Sequence, residues 1–532
     1  MEFKGYTKRD TAILKGFGIL CIVFHNYFHW LWPSPGENEF TFDPARVSKF
    51  FAQLGAQPGE FFNLIFSYLG HYGVQIFVLL SGFGLAVSMM NKPQSWGRFV
   101  WKRFLKLYPL LLTALVFYYF GRILMEAKLL GPYEKHELGY KLLLVHTLVP
   151  DSALSLVGPW WFFGLIFQLY LLFPLVFRWT RRGGWKAFLS VCVVCYGLIF
   201  LFRYGLNVFK GSVIMMNAPG HLPEFCLGVL LAFSKDKKIS LGWLLLSVSV
   251  FCLGNYFAVF YPFTFLALSV MMVFAYQGVK NLRFRKRWLS RPLAYVGNLS
   301  MAIFAVHACF RGPVLKVAAS LKGPWGHFLS GMMFLVIILA ISVAAYHFYT
   351  YLCHLIAKVE GAFERKWGSK KSPVVCQGLR WVERLAGVSV LAFFVFILGY
   401  FIAQNVEKPQ TSFTQEMKQN TIIPKDKEYV YLVNDTIGSR SLNLSVTGSF
   451  DIQGQVAQGA APRLVMTIGD LLWKPFELPQ DFFTNTPKHF EFSYYYHTPF
   501  VVNLKGKPVK VFFWNPNKQT AEFENTSVTI KY

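Results

Sequence analysis

The sequence predicts a polytopic α-helical membrane protein that ends in an all-β, sandwich-type domain, and three observations carry that expectation. Of the 532 residues, 54% are hydrophobic and 18% aromatic against 15% charged, and the mean hydropathy is +0.38, a balance foreign to a water-soluble enzyme. Apolar runs long enough to span a hydrocarbon core, about 20 residues each, recur along the first three quarters of the chain. After Gln404 the pattern changes to polar residues alternating with β-branched and aromatic ones, the period of a half-buried strand.

Taken in order, candidate spans lie at 12–32, 62–90, 101–126, 157–178, 186–206, 215–234, 240–257, 259–278, 292–312, 326–357 and 384–404. The first lacks a small-residue cleavage pattern and is expected to stay as an anchor. Alternate connections are basic: WGRFVWKR (96–103), RWTRRGGWK (178–186), SKDKK (234–238), KNLRFRKRW (280–288) and ERKWGSKKS (364–372). Such clusters orient helices in a bilayer, so the net charge of +26 does not point to nucleic acid, and every second connection being basic places the N-terminus in the cytoplasm of a protein expected in the cell membrane. The intervening connections PSPGENEFTFDPAR and EAKLLGPYEKHELGY are mixed or acidic. An odd number of spans then exports the C-terminal part. Three regions follow: a membrane domain at 1–360, a cytoplasmic linker and eleventh helix at 361–404, and an extracytoplasmic β domain at 405–532 with strands SLNLSVTGSF, RLVMTIG, HFEFSYYYH, VKVFFW and SVTIKY. All eight cysteines precede residue 380, so that domain has no disulfide to form; Cys192 and Cys195 are expected to be small buried residues. The aromatic strands EFSYYYH and VFFW are expected to fill a sandwich core, with a carbohydrate platform as the functional alternative.

Inside the first span, ILCIVFHNYFHW places His25, Asn26 and His29 where lipid would otherwise be expected. Polar groups at membrane depth are costly and point to function. On a helix His25 and His29 share a face. No acidic or cysteine partner at ligand spacing accompanies them, so no metal is expected. Packing against a neighbouring carbonyl and acid–base chemistry by a neutral imidazole both remain open on residue type. With Lys15 at the interface, the ten-residue rise to His25 places the imidazole about 15 Å deep, near the middle of the core, where one substrate can arrive from each side.

Six segments, RDTAILKGFGILCIVFHNYFHW, GHYGVQIFVLLSGFGLA, RFVWKRFLKLYP, WWFFGLIFQLYLLFPLV, HLPEFCLGVLLA and GNLSMAIFAVHACFRGP, occur in the order and spacing of the membrane-bound acyltransferase family 3, which the chain resembles over residues 6–357. The resemblance implies a core of ten helices, with the last span added to it. It also implies transfer of an acyl group, commonly acetyl, from cytoplasmic acetyl-CoA or another acyl-CoA to a hydroxyl of an extracytoplasmic polysaccharide. The family's basic residue and essential histidine of the first helix map to Lys15 and His25. Nine residues intervene here where ten are common, which turns the two side chains about 80° apart. The family's Glu pair in the fourth motif is replaced by Ile166 and Phe167, leaving Gln168 and Tyr170.

The remaining candidates follow from position. Arg98, Lys102, Arg103 and Lys106, with Tyr108, stand at the start of the third span where CoA phosphates would sit, or serve as ordinary interfacial anchors. Ser81 and Gly82 would let the second segment approach a neighbour or a pantetheine arm. Trp161, Gln168, Tyr170 and Arg203 are candidates for the acceptor side. Glu224 is expected to orient His25, to bind a sugar hydroxyl, or to pair with Arg203 or Arg311. His307 is expected to pack. A transporter of a glycan or lipid-linked precursor is the alternative class; it would favour broken, repeated halves, and none is evident.

Overall fold

The computed structural model describes residues 2–126, 132–149, 152–202, 212–281, 287–368 and 412–532, except 32, 35, 319, 322, 418–420, 424–426, 439–442, 455, 457–460, 470–471, 479–482, 485, 498–503, 516 and 518. The chain divides into two compact units, Met1–Leu129 with Leu142–Val395, and Leu130–Lys141 with Phe396–Tyr532.

The helices are α1 (Lys8–Phe28), α2 (Ala45–Ala56), α3 (Phe61–Leu69), α4 (Gly73–Asn91), α5 (Trp96–Glu126), α6 (Pro132–Leu142) and α7 (Trp161–Phe200). They continue with α8 (Ser212–Met215), α9 (Ala218–Ala232), α10 (Gly242–Tyr256), α11 (Thr264–Asn281), α12 (Arg287–Val306), α13 (Arg311–Ala318) and α14 (Gly323–Gly368). Among the described residues, seven helical runs are long and apolar enough to cross a membrane: Lys8–Phe28, Pro58–Asn91, Trp96–Leu124, Gly158–Phe200, Tyr261–Lys280, Ser290–Ala318 and Gly323–Lys358.

Three differences from the sequence expectation have physical causes. The fourth and fifth candidate spans form one run, α7, interrupted at Gly184, whose φ of 50° and ψ of −123° only glycine adopts readily. The sixth and seventh form α9 and α10, 15 residues each and so short of a full span. The second is split into α3 and α4 by a 3-10 turn at Gly70–Tyr72. The eleventh candidate, 384–404, lies outside the described residues.

The first helix is fixed at both ends. Thr7 and Asp10 form a reciprocal capping box. The buried Asp10 carboxylate also accepts from Tyr276 (2.8 Å) and from Lys280 (3.0 Å) on α11. At the other end Arg311 donates to the Asn26 carbonyl at 3.1 Å, a cation placed where the helix dipole is negative. Between them α1 lies against α12 with almost no side chain intervening: a Cβ on Gly16 would stand 1.9 Å from the Leu293 carbonyl oxygen, and one on Gly297 1.8 Å from that of Ala12. The α4–α9 crossing repeats the device, with Gly82 against the Phe225 carbonyl and Gly228 against that of Leu79, each at 2.0 Å from an added Cβ. Gly82 therefore serves helix packing.

The β region forms two antiparallel sheets. One orders β1 (Ser412–Met417), β9 (Ala521–Lys531), β4 (Asn443–Gln453) and β7 (Lys488–His497), with β2 (Thr421–Ile423) also on β9; the other orders β3 (Tyr429–Thr436), β8 (Pro508–Trp514), β5 (Arg463–Ile468) and β6 (Leu472–Glu477). Leu444, Val446 and Phe450 of the first sheet and Leu464, Val511 and Phe513 of the second share one buried core, as in a sandwich. Strand β7 fills that core with Phe492, Tyr494 and Tyr496. Strand β8 is divided: Phe513 points into the core and stacks on Phe523, whereas Phe512 meets Tyr429, Tyr431 and Trp473, which are 41%, 48% and 41% exposed. Arg463 and Lys510 stand over Trp514 and Tyr431, at 5.8 and 5.7 Å from the ring centres.

Two predictions follow from this packing. Gly82→Ala drives a methyl into the backbone of α9, whereas the equivalent change two residues on, Gly84→Ala, meets nothing within 4 Å; thermal unfolding of the detergent-solubilised protein is expected to drop markedly for the first and not for the second. In the β domain, His489 lies 2.7 Å from Asp451, and Asn525 donates to the same carboxylate. Bonds from Asn525 and His489 hold the Asp451 carboxyl below its usual range, and the bond to Asp451 raises the His489 imidazole. The depressed acid contributes above the unfolded carboxyl range and loses its contribution as pH falls through its folded pKa. The raised histidine contributes below the unfolded imidazole range and loses its contribution as pH rises. Both act together between about pH 4 and 6.5. Because the histidine is half exposed, His489→Asn is expected to cost under about 1 kcal/mol at pH 5.5 and little at pH 9, measured by denaturant titration.

Candidate active site

His25 sits in the last turn of α1, 6% exposed. Its Nδ1 lies 3.2 Å from the Phe66 carbonyl oxygen and 3.1 Å from that of Ser67, both in the final turn of α3. The Phe66 carbonyl also accepts from the Gly70 amide and so is shared between amide and imidazole, and Ser67 lies among the last carbonyls of a helix that ends at Leu69. Carbonyls only accept, so Nδ1 carries the proton and Nε2 presents the lone pair. Gly70 makes the approach possible, since a Cβ there would lie 2.7 Å from both His25 Cβ and the Cys21 carbonyl oxygen. Next in the chain comes His71, 2% exposed, with its ring 5.4 Å from that of His25 and neither nitrogen in a well-formed hydrogen bond.

One turn along α1, the His29 ring stands 5.6 Å from that of His25. Its Nδ1 is 2.8 Å from Glu37 Oε2, yet the two atoms are out of line for a hydrogen bond. Glu37 comes from the loop between α1 and α2, which Arg46 staples by donating to the carbonyls of Glu37 (2.6 Å) and Thr41 (3.0 Å). Tyr261 holds the same loop through the Glu39 carbonyl, and Phe40 packs edge-on against Trp161. Burial pushes the Glu37 carboxyl up, but contact with His29 and the nearby imidazoles outweigh it and hold the group at about 2. Glu39, two residues on, is pushed well up by burial and then by the Glu37 charge. The loop thus presents one firmly ionised carboxylate to a group of three histidines.

The sequence candidates divide around this centre. Lys15 is half-buried on α1, ten residues before His25 and so about 15 Å away along the axis. Glu224 pairs with neither Arg311 nor His25: its Oε1 lies 2.7 Å from Nδ1 of His221, whose ring is sandwiched between Trp161 and Phe265. Both are fully buried, and the i, i+3 spacing on α9 explains the pairing. Gln168 donates to Thr147 and Asn217 and accepts from the Ala218 amide, tying α7 to the start of α9. Tyr170 is half-buried, and Arg203 lies outside the described residues. Arg98, Lys102 and Lys106 are exposed, spaced by one helical turn, and meet no carboxylate among the described residues. Arg103 lies over Phe99, and Tyr108 stacks on Phe104. Ser81 is half-buried on α4 beside Gly82. His307 is buried and directs Nδ1 to the Ile303 and Phe304 carbonyls. A cavity of about 850 Å³ opens elsewhere, between α7, α9, α10 and α11, and none of these candidates lines it.

Two groups escaped the sequence. Glu37 supplies the carboxylate that α1 lacks, so the expectation that no acid accompanies the histidine pair is corrected: ligand atoms of His25, His29 and Glu37 all lie within 4.8 Å of one another. His71 was hidden in a glycine-rich motif. The only sequence signal for Glu37 was an acidic loop directly following a histidine-bearing helix.

The chain is similar to the acyltransferase MdmB of Streptomyces mycarofaciens, with 29% identity over 265 residues that cover 45% of this chain and 67% of that one. No solved structure matches it. Residues 12–348, which contain His25, His29, Glu37 and His71, match the family described as an acyltransferase domain, acyltransferase 3, so the chain belongs to that family and is a multi-pass membrane acyltransferase.

Proposed function

We propose that the enzyme transfers an acyl group, acetyl by preference, from a cytoplasmic acyl-CoA to a hydroxyl of an extracytoplasmic polysaccharide at the inner membrane, with His25 as general base. The observation that carries this reading is the fixed tautomer of His25: two carbonyls hold Nδ1–H, and the basic Nε2 meets no hydrogen-bond partner among the described residues. The acceptor hydroxyl gives its proton to Nε2 as its oxygen attacks the thioester carbonyl. The tetrahedral intermediate collapses, the C–S bond breaks, and the departing thiolate takes the proton back from His25. Glu37 favours the transient imidazolium by its charge. Arg98, Lys102 and Lys106 would hold CoA phosphates. Lys15, one register from the family spacing, would act between those cations and the base.

A polymeric acceptor gains support from the β domain. Tyr429, Tyr431, Phe512, Trp473 and Trp514 share the outer face of one sheet, with Lys510 and Arg463 at hand to donate hydrogen bonds. Sugar rings stack well on such faces, because an aromatic ring offers area at little entropic cost.

His25→Ala is expected to abolish transfer of label from radiolabelled acetyl-CoA to cell-surface glycan at unchanged expression, a loss of at least about a hundredfold. Full transfer by that variant would remove His25 from the mechanism. Mass spectrometry of glycan and medium from cells with and without the gene tests whether the acceptor is a polymer. Trp473→Ala with Tyr431→Ala is expected to raise KM for the polymeric acceptor several-fold while leaving kcat on a short acceptor intact; equal effects on both acceptors would confine those rings to a structural role.

A further inference from the structure

We propose that His25, His29 and Glu37 form a binding site for a divalent transition-metal ion, zinc above all, and that the ion shuts off transfer by occupying the lone pair of the base. The second half rests on the reading of His25 above; the first half stands on geometry.

The donor set is two imidazoles and one carboxylate, with ligand atoms within 4.8 Å of one another. In a tetrahedral shell, zinc bonds of about 2.0 to 2.2 Å place two donors about 3.3 to 3.6 Å apart, so shifts of about an ångström by side-chain rotation close the site. His29 Nδ1 and Glu37 Oε2, already 2.8 Å apart, need to part by only about 0.6 Å to span one edge of a tetrahedral zinc shell. His25 carries the support expected of a metal-bound histidine, one nitrogen donating to main-chain carbonyls so that the other is aimed. His71 is buried beside His25, its ring 5.4 Å away, with neither nitrogen in a well-formed hydrogen bond. Ion entry is open, since the His29 and Glu37 side chains are 34% and 18% exposed.

The carboxylate also decides the charge. A carboxylate ligand offsets half of a divalent charge, and Arg311, at the C-terminal end of α1, is engaged with the Asn26 carbonyl and the Trp30 ring. Imidazole with carboxylate selects zinc, cobalt, nickel or copper over magnesium and calcium, which take oxygen ligands.

The test uses the full-length protein in lipid nanodiscs, purified without a polyhistidine tag and stripped with chelator. Titration with cobalt is expected to give visible d–d absorption saturating at one ion per chain and displaced by zinc. Glu37→Gln and His29→Gln are each expected to weaken cobalt binding at least tenfold, with Glu37→Asp restoring part of it; circular dichroism melts report whether each variant is folded. In wild type, zinc is expected to inhibit transfer over the same concentrations at which it displaces cobalt, and chelator to restore it. Absence of a saturable cobalt spectrum, or one indifferent to both substitutions in folded protein, overturns the site and leaves His25 as base untouched. A cobalt spectrum that depends on Glu37 and His29, together with transfer indifferent to zinc, overturns occupation of the His25 lone pair by the ion and leaves His25 as base to the His25→Ala measurement.

Discussion

The constraint on which the rest of this structure depends is the closeness of α1 to its neighbours. Gly16 faces Gly297, Gly18 faces Gly73, and Gly70 sits against His25, so the helix is held by backbone on two sides with no room for a methyl group. In lipid, where the hydrophobic effect gives no drive for helices to associate, such contact supplies dispersion energy instead. It also removes freedom. A helix gripped at this distance cannot rotate, and a histidine on it is aimed by the fold.

That aim depends on a break. Helix α3 ends at Leu69 and a 3-10 turn at Gly70–Tyr72 follows, so the imidazole N–H meets the helix at its last turn, sharing the Phe66 carbonyl with the Gly70 amide and reaching that of Ser67. Irregular backbone at membrane depth survives only where something satisfies it, and here the His25 imidazole is part of what does so. Two neutral carbonyls orient His25 as a carboxylate does in other acid–base pairs, but they add no full charge. The negative charge comes from Glu37, through His29, on a loop outside the span.

Most of the helical architecture was legible because lipid imposes length and composition together. Ten of the eleven candidate spans coincide with described helices, and the two joined through Gly184 show what length alone misses: a single glycine turns the chain within the basic stretch RWTRRGGWK while the helical run continues on both sides. The site was legible only in part. His25 stood out because a polar residue in an apolar run is costly. Glu37 did not, because a carboxylate in a loop costs nothing until the fold carries it 2.8 Å from His29, and the staples that do so, Arg46 and Tyr261, lie far apart in sequence. Glu224 erred the other way: as a lone acid in an apolar helix it invited a distant partner, whereas the nearest one was His221, one turn back on the same helix.

The properties that suit an imidazole to accept a proton are those that suit it to bind a metal: a neutral ring, a fixed tautomer, a lone pair kept from hydrogen bonding and an anion nearby. A second histidine one turn away brings the two roles into conflict, since it adds little to a base already aimed but completes a chelate. Without Glu37 that conflict would be mild, because two neutral imidazoles hold a dication weakly against water. With it, the charge that steadies an imidazolium equally steadies an ion. On the proposals above, a loop carboxylate is therefore the point at which base catalysis and metal sensitivity would be set together, and the helix that carries His25 could not separate them without moving His29 off its face.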